Sequence, residues 1–150
     1  MEQCAAATGR IVVASVSLCL DTSTCVDLLR HHGGETAKVL GFFPASAAWI
    51  SAVALSELAV GANSPPRAEQ QRAALMRLLD GLEVRAFDVR AAEVTGAVAA
   101  RLNRAGRRIG PRDAMIGAHA LAEGATLVTA NPDEFRRIPG LQVVNSRSLG

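Results

Sequence analysis

Residues 112–129, RDAMIGAHALAEGATLVT, decide the fold class because they join a helix directly to a strand. Apolar residues in the first part have the spacing of a packed helix, and Gly124 is placed to end it. The part that follows, ATLVT, is a short apolar run typical of a strand buried in a sheet. The stretch therefore predicts an α/β protein.

Strand-like and helix-like segments alternate along the rest of the chain. Strands are predicted at 11–20, 48–52, 84–89, 125–129 and 141–145, and helices at 24–30, 53–62, 67–79, 91–106 and 112–124. Residues 31–35, HHGGE, are predicted to break the first helix, and residues 130–135 to form a turn. This alternation favours a three-layer α/β/α sandwich with a central, mainly parallel sheet.

Length and composition limit the chain to one domain. It has 150 residues, 49% of them hydrophobic and 20% charged, which is enough for a single core. The early apolar run at 11–20 is too short to span a bilayer. Cys4, Cys19 and Cys25 have neither zinc-binding nor Cys-x-x-Cys spacing, so we expect reduced cysteines in a cytoplasmic protein without membrane contact.

The basic side chains are almost all arginine. The formal net charge is only +2, and Lys38 is the single lysine among 16 basic residues. A guanidinium group presents a planar fork of donors that suits phosphates and carboxylates. The bias therefore favours a phosphate-bearing or acidic partner, although a GC-rich genome would produce the same composition.

Acid and amide side chains follow several of the predicted strands. They are Asp21, Glu57, Asp113, Asn131, Asp133 and Glu134. Because parallel strands end at one edge of a sheet, and ligands of open α/β sheets bind there, we expect these oxygens to meet. Carboxylates that meet repel one another unless a cation joins them, and hard oxygen ligands select Mg²⁺ or Mn²⁺.

At these positions the chain resembles the PIN-domain ribonucleases and, within them, the VapC-type toxins of bacterial toxin–antitoxin pairs. The resemblance rests on LDTS at 20–23, ISAVALSEL at 50–58 and RRIGPRDAMIGAHALAEGATLVTANPDEFRRIPGLQVVN at 107–145. It implies a PIN-like fold and a divalent-metal-dependent endoribonuclease that leaves a 5′ phosphate and a 3′ hydroxyl on RNA. It also implies a homodimer and an antitoxin that covers the pocket.

The resemblance assigns the acidic pocket to Asp21, Glu57 and Asp113. Asp21 and Asp113 are expected to bind the metal, and Glu57 either to bind it or to orient and deprotonate the attacking water. The fourth position is open between Asn131 and Glu134.

Two further groups of side chains surround this pocket. Hydroxyl groups expected to hold the carboxylates belong to Thr22, Ser23 and Thr129. Guanidinium groups expected to grip RNA phosphates belong to Arg107, Arg108 and Arg112, although a solvated cluster explains them nearly as well. His119, in an apolar helix, is expected to pack or hydrogen-bond rather than to catalyse.

The acids also have structural interpretations. Asp21 alone reads as a helix N-cap, and Asp113 as a first-turn acid favoured by the helix dipole. The amide at Asn131 removes a charge, so the alternative function is a degenerate PIN-like module that binds RNA or protein without cleavage. Tight divalent-metal binding favours the enzyme, whereas RNA binding indifferent to a chelator favours the module.

The first residues precede the segment that the resemblance covers. We predict that residues 1–15 form a flexible N-terminal extension and that residues 16–150 form a single PIN-like domain.

Overall fold

The computed structural model describes residues 16–148, in which strands and helices alternate. The strands are β1 (Leu18–Leu20), β2 (Ala48–Ser51), β3 (Glu83–Arg85), β4 (Thr126–Thr129) and β5 (Val143–Asn145). The helices are α1 (Thr22–Arg30), α2 (Glu35–Leu40), α3 (Ala52–Ala62), α4 (Ala68–Asp80), α5 (Val89–Arg104), α6 (Pro111–Ala122) and α7 (Pro132–Phe135), with a 3₁₀ turn at Ala45–Ala47.

The five strands form one parallel sheet in the order β3-β2-β1-β4-β5. In the central strand, Cys19 pairs with Trp49 of β2 on one side and with Leu127 of β4 on the other. The chain builds outward from β1 to β3 and then returns to add β4 and β5 on the other side. The crevice between β1 and β4 is therefore the point where strand order reverses, which is where open α/β sheets bind their ligands.

The central strands are apolar on both faces because helices flank the sheet. Residues Leu18–Leu20 are all buried, and Ile50 and Leu127 have no exposed surface. Full burial of one such aliphatic side chain contributes roughly 1.5–3 kcal/mol. The core thus supports a rigid platform at the carboxyl ends of β1 and β4.

Helix α6 lies close to α7 and the segment after it because Gly117 has no side chain. A Cβ atom built at Gly117 would lie 2.5 Å from Cδ1 of Ile138 and 3.3 Å from the Phe135 ring. Both neighbours are 1% exposed, and alanine at position 117 would require the end of the Ile138 side chain to shift within the core. Gly117 therefore permits this close approach without such a rearrangement.

The predicted fold class, an α/β/α architecture around a parallel sheet, is confirmed. Two local predictions are wrong. Residues 132–135 form the short helix α7 instead of a turn, because Pro132 suits a first helical turn. The third strand covers only 83–85 instead of 84–89, because Asp88 leaves the sheet to cap α5 and accepts from the Ala91 amide at 2.9 Å.

Other predictions have different outcomes. The sequence pattern does not predict α2, which begins at Glu35, the last residue of the predicted break. The predicted strand residues 11–15, the predicted extension at 1–15 and Cys4 lie outside the described residues. Cys19 and Cys25 are free thiols in the core, and burial raises the pKa of both.

No helix within residues 16–148 has both the length and the apolar character needed to cross a membrane.

Candidate active site

Asp21 lies at the carboxyl end of β1 and is only 3% exposed. It caps α1: its Oδ1 accepts from the Thr24 amide at 2.9 Å and from the Ser23 hydroxyl at 2.7 Å. Its Oδ2 accepts from the Thr129 hydroxyl. A carboxylate has about two acceptor directions on each oxygen, so Oδ1 is saturated and one direction remains on Oδ2. Asp21 is therefore a cap that can still accept one more ligand.

Hydroxyl groups tie the loop after β1 to the loop after β4. The Ser23 hydroxyl accepts from the Ala130 amide at 3.2 Å, and the Thr129 hydroxyl accepts from the Asn131 amide at 2.9 Å. Thr24 donates to the Val128 carbonyl at 2.8 Å. These bonds satisfy buried polar groups and fix the Asp21 carboxylate relative to β4. The sequence argument did not single out Thr24, although its place three residues after an N-cap acid signals a capped first turn.

Glu57 projects from α3 beside this network, and both of its oxygens have partners. Oε1 accepts from the Thr22 hydroxyl, and Oε2 lies 3.4 Å from Nη1 of Arg112. The Glu57 side chain is 21% exposed and that of Arg112 69% exposed. A long ion pair at such an exposed position contributes little to stability, so Arg112 is able to leave Glu57 for another anion.

Asp113 in the first turn of α6 and Glu134 in α7 bring their carboxyl groups within hydrogen-bonding reach. Burial, followed by the Glu134 carboxyl, raises the pKa of Asp113 to about 7, and the charges of Asp21 and Glu57 act in the same direction. Neighbouring carboxylates repel each other when both are ionised, and a bound cation would relieve that repulsion. Three other acids, Glu134, Asp21 and Glu57, therefore lie close enough to Asp113 to raise its pKa.

This arrangement fits a hard divalent cation. The ligands available are carboxylate oxygens, and a cation beside Asp113 and Glu134 would offset the repulsion between their charges. In the part of the chain that the structure describes, no three His, Cys, Asp or Glu side chains already surround one metal position. Mg²⁺ needs no such cage, because it retains several waters and commonly takes only one or two carboxylates together with substrate phosphates.

The two candidates for the fourth position lie in different surroundings. Asn131 is exposed and precedes α7 without a capping bond from its side chain. Glu134 is half-buried and faces Asp113. Asp133 is 97% exposed and pairs only with Arg136, at 3.4 Å. Burial and the influence of Glu134 on Asp113 favour Glu134 as a member of the acidic cluster, whereas Asn131 and Asp133 are exposed.

The three arginines considered for RNA binding are all exposed near the entrance to α6. They are Arg107, Arg108 and Arg112. Arg112 contacts Glu57, whereas the backbone carbonyl of Arg108 accepts from Arg137 Nη1 at 2.8 Å. No sequence pattern marks this bond, which ties the loop before α6 to the segment after α7.

A groove of about 610 Å³ opens beside Thr22 and Glu57, lined by α1, α3 and α4. Its apolar lining includes Val26, Leu29, Leu58 and Leu75, and its charged side chains besides Glu57 are Arg30 and Arg67. An apolar groove with basic residues that ends at an acidic cluster suits an amphipathic protein segment better than a small molecule.

Comparisons with known proteins agree with this geometry. The PIN domain family matches residues 18–141. The tRNA(fMet)-specific endonuclease VapC of Salmonella typhimurium is 36% identical over 124 residues, which cover 83% of this chain and 93% of the relative. Ribonuclease VapC2 of Rickettsia felis is 35% identical over 127 residues, covering 84% and 95%.

Among solved structures, the DNA-bound VapBC complex from Salmonella typhimurium contains a chain that superposes with a TM-score of 0.82 at 34% identity. The match covers 87% of this chain and 98% of that one. The family match spans β1 to the segment after α7 and thus includes all four acids. The chain therefore belongs to the PIN-domain family, among its VapC-type ribonucleases.

Proposed function

We propose that the protein is a divalent-metal-dependent endoribonuclease that acts as the toxin of a toxin–antitoxin pair in the cytoplasm, with transfer RNA as its substrate class. The observation that carries the proposal is the Asp113–Glu134 pair, because burial and the Glu134 carboxyl raise the pKa of Asp113 to about 7 and a cation would relieve the repulsion between the two groups. The relative from Salmonella typhimurium is named as specific for tRNA(fMet), which makes that RNA the first substrate to test.

In this proposal Asp21, Asp113 and Glu134 surround the metal, directly or through its bound waters, and Mg²⁺ or Mn²⁺ is the ion. Asp21 contributes Oδ2, because Oδ1 is already saturated by Ser23 and Thr24. Thr129 keeps that carboxylate in place. A bound divalent ion would supply charge stabilisation at the phosphoryl oxygens and would lower the pKa of the attacking water.

Glu57 orients the attacking water and accepts its proton. Its Oε1 is held by Thr22, so the free oxygen after departure of Arg112 is Oε2. Arg112 then contacts a phosphate of the RNA, together with Arg107 and Arg108, and contributes charge complementarity along the backbone. The products carry a 5′ phosphate and a 3′ hydroxyl. Asn131 is exposed and has no assigned role in this proposal.

The alternative of a non-cleaving module rests on Asn131, which has an amide in place of a carboxylate. Glu134 supplies the carboxyl group that Asn131 lacks, so the described geometry favours the enzyme.

The proposed partner is an antitoxin that occupies the groove beside Glu57. The solved neighbours from Salmonella typhimurium and Rickettsia felis are VapBC complexes. A segment with an apolar face, acidic residues opposite Arg30 and Arg67, and a basic side chain at the Glu57 end would match the groove. A homodimer of the toxin is part of the same proposal.

The first experiment is cleavage of purified tRNA(fMet), elongator transfer RNA and total RNA with Mg²⁺, Mn²⁺ or EDTA. An Asp21→Asn/Asp113→Asn double variant tests the site. Asp133→Asn is the matched control, since it removes one carboxylate from the same edge at a position that is 97% exposed. We expect metal-dependent cutting by the wild type and the control, and none by the double variant.

Equal cleavage by the double variant would overturn the site assignment. Cleavage of every RNA at the same rate would overturn the substrate class while leaving the nuclease intact. RNA that binds with equal affinity in Mn²⁺ and EDTA but is never cut would instead support the non-cleaving module.

The toxin proposal has its own test in growing cells. Expression of the wild type alone should stop growth, the double variant should not, and co-expression of the neighbouring antitoxin should restore growth. Undisturbed growth with abundant folded wild-type protein would contradict the toxin proposal.

A further inference from the structure

His119 joins the two helices that carry Glu57 and Asp113. It lies in α6 with no exposed surface, and its Nδ1 is 2.9 Å from the hydroxyl oxygen of Ser51, the equally buried residue that caps α3. Ser51 precedes Glu57 by six residues, and His119 follows Asp113 by six, a separation of about 9 Å along a helix axis. We refer to this contact as the Ser51–His119 crosslink.

The Ser51 hydroxyl can serve two neighbours at once. Its oxygen accepts from the Val53 amide at 3.1 Å, and its proton can be donated to Nδ1 of His119. In that arrangement the imidazole is neutral, with its proton on Nε2. Burial lowers the pKa of His119, in agreement with the neutral form.

Packing alone does not explain a histidine at this position. The edges of the ring meet Trp49 and Phe87, with ring centres 5.0 and 5.5 Å away. Among residues 16–148, Nε2 finds no hydrogen-bond partner. A buried unpaired polar atom costs about 1–3 kcal/mol, a cost that leucine at the same place would avoid. The compensating gain therefore lies in the bond to Ser51.

We propose that His119 is a positioning residue for the cleavage reaction, because the Ser51–His119 crosslink fixes α6 against the start of α3 and thereby sets the spacing of Asp113 and Glu57. The inference rests on the proposed nuclease function. His119 touches neither RNA nor the reacting atoms in this scheme. Side chains that only orient the groups of a metal site typically change activity or metal affinity by about 10- to 100-fold.

The test compares His119→Leu, Ser51→Ala, the double variant and His119→Asn. Asparagine can present its Oδ1 near the place of Nδ1 and accept from Ser51, whereas leucine cannot. Phe87→Leu is the matched control because it changes the packing against the same ring without removing the bond. The readouts are kcat and KM on the RNA substrate, Mn²⁺ affinity by calorimetry, and Tm.

We expect His119→Leu and Ser51→Ala each to lower kcat by about 10- to 100-fold with KM nearly unchanged. The double variant should be no worse than either single one, and His119→Asn should recover most of the loss. Phe87→Leu should keep kcat even if its Tm falls. Mn²⁺ affinity should fall together with kcat. A variant that only loses stability would show a lower Tm without these two losses.

The inference would be overturned if the kcat losses of the two single variants multiplied in the double variant. It would also be overturned if His119→Asn did not recover kcat, or if Phe87→Leu lost as much kcat as His119→Leu. Ser51→Ala carries the test if His119→Leu does not fold. If the wild type binds Mn²⁺ but cuts no RNA, the proposed function fails, and Mn²⁺ affinities of the variants still decide whether the crosslink positions the carboxylates.

Discussion

Two groups of carboxylates lie near the two ends of helix α1, and they differ in whether an arginine of the chain neutralises them. At the start of α1 is the acidic edge, formed by Asp21, Glu57, Asp113 and Glu134, where carboxyl groups face one another. Near its end, the Asp27 side chain is 12% exposed and receives two bonds from Arg147, at 2.8 and 2.9 Å, and one from Thr36. We call this second region the Asp27–Arg147 clamp.

The difference shows in the pKa values. The bonds from Arg147 outweigh burial and hold the pKa of Asp27 below its usual range. At the acidic edge, burial and Glu134 raise the pKa of Asp113 to about 7. At Asp27 the chain supplies its own cation, and the carboxylate is structural. Among the described residues no arginine or lysine pairs with Asp113 or Glu134, which leaves room there for an external cation.

The largest expected effect concerns activity at the acidic edge. Asp113→Asn should lower kcat by at least about 100-fold, the upper range for residues that merely orient a metal ligand. Its Tm without metal should not fall, because an amide beside Glu134 removes the repulsion between two carboxyl groups. RNA cleavage assays and thermal melts of the same preparations check both parts. A large drop in Tm would show that Asp113 is structural, like Asp27.

The next effect separates the two regions by their response to metal. Mn²⁺ at about 100 times its Kd should stabilise the wild type by about 2.7 kcal/mol, seen as a rise in Tm. Asp113→Asn should abolish that rise, whereas Asp27→Asn should retain it in full. If the metal-dependent rise in Tm disappeared in Asp27→Asn, the distinction between a metal-binding acidic edge and a purely structural Asp27–Arg147 clamp would be wrong.

A smaller effect is expected from breaking the clamp. Asp27→Asn should lower Tm by about 2–4 °C, a shift typical of modest destabilisation in a chain of this size. The Arg147 side chain is 60% exposed, and water therefore screens part of the interaction. Cleavage per folded molecule should stay at the wild-type level. Loss of kcat without loss of Tm would show that the clamp serves the reaction.

The smallest effect is the pH dependence of the clamp. A carboxylate with a lowered pKa in the folded state stabilises the fold above its unfolded pKa, about 3.9 for Asp, and this stabilisation is lost as pH falls through the lower folded value. The Tm difference between the wild type and Asp27→Asn should therefore be constant from about pH 5 to 8 and shrink below about pH 4. A difference that grows in acid would contradict the ion pair.

The sequence predicts the acidic edge better than it predicts the clamp, for physical reasons. Asp21 and Asp113 each stand where a strand ends or a helix begins, and parallel topology brings such positions together without knowledge of side-chain contacts. Asp27 and Arg147 are 120 residues apart. No periodicity or motif marks their pairing, which depends on where the chain runs after β5.

The choice between Asn131 and Glu134 shows that sequence-based prediction also fails for residues that are close together in the chain. A turn at 130–135 leaves either side chain able to face Asp113. The single helical turn of α7 directs Glu134 towards Asp113 and leaves Asn131 exposed. Such a short helix lacks a repeating apolar pattern, so it cannot be predicted from the sequence.

The close packing at Gly117 has a consequence for how the protein can vary. Gly117 follows Asp113 by four residues and so lies under it on the same face of α6, while Phe135, its neighbour across the gap, directly follows Glu134. The packing between the two segments that carry these carboxyl groups thus includes a glycine at which a methyl group would require Ile138 and Phe135 to shift. A Gly117→Ala change can therefore affect the acidic edge through packing, although no acid, base or RNA-contacting side chain is altered.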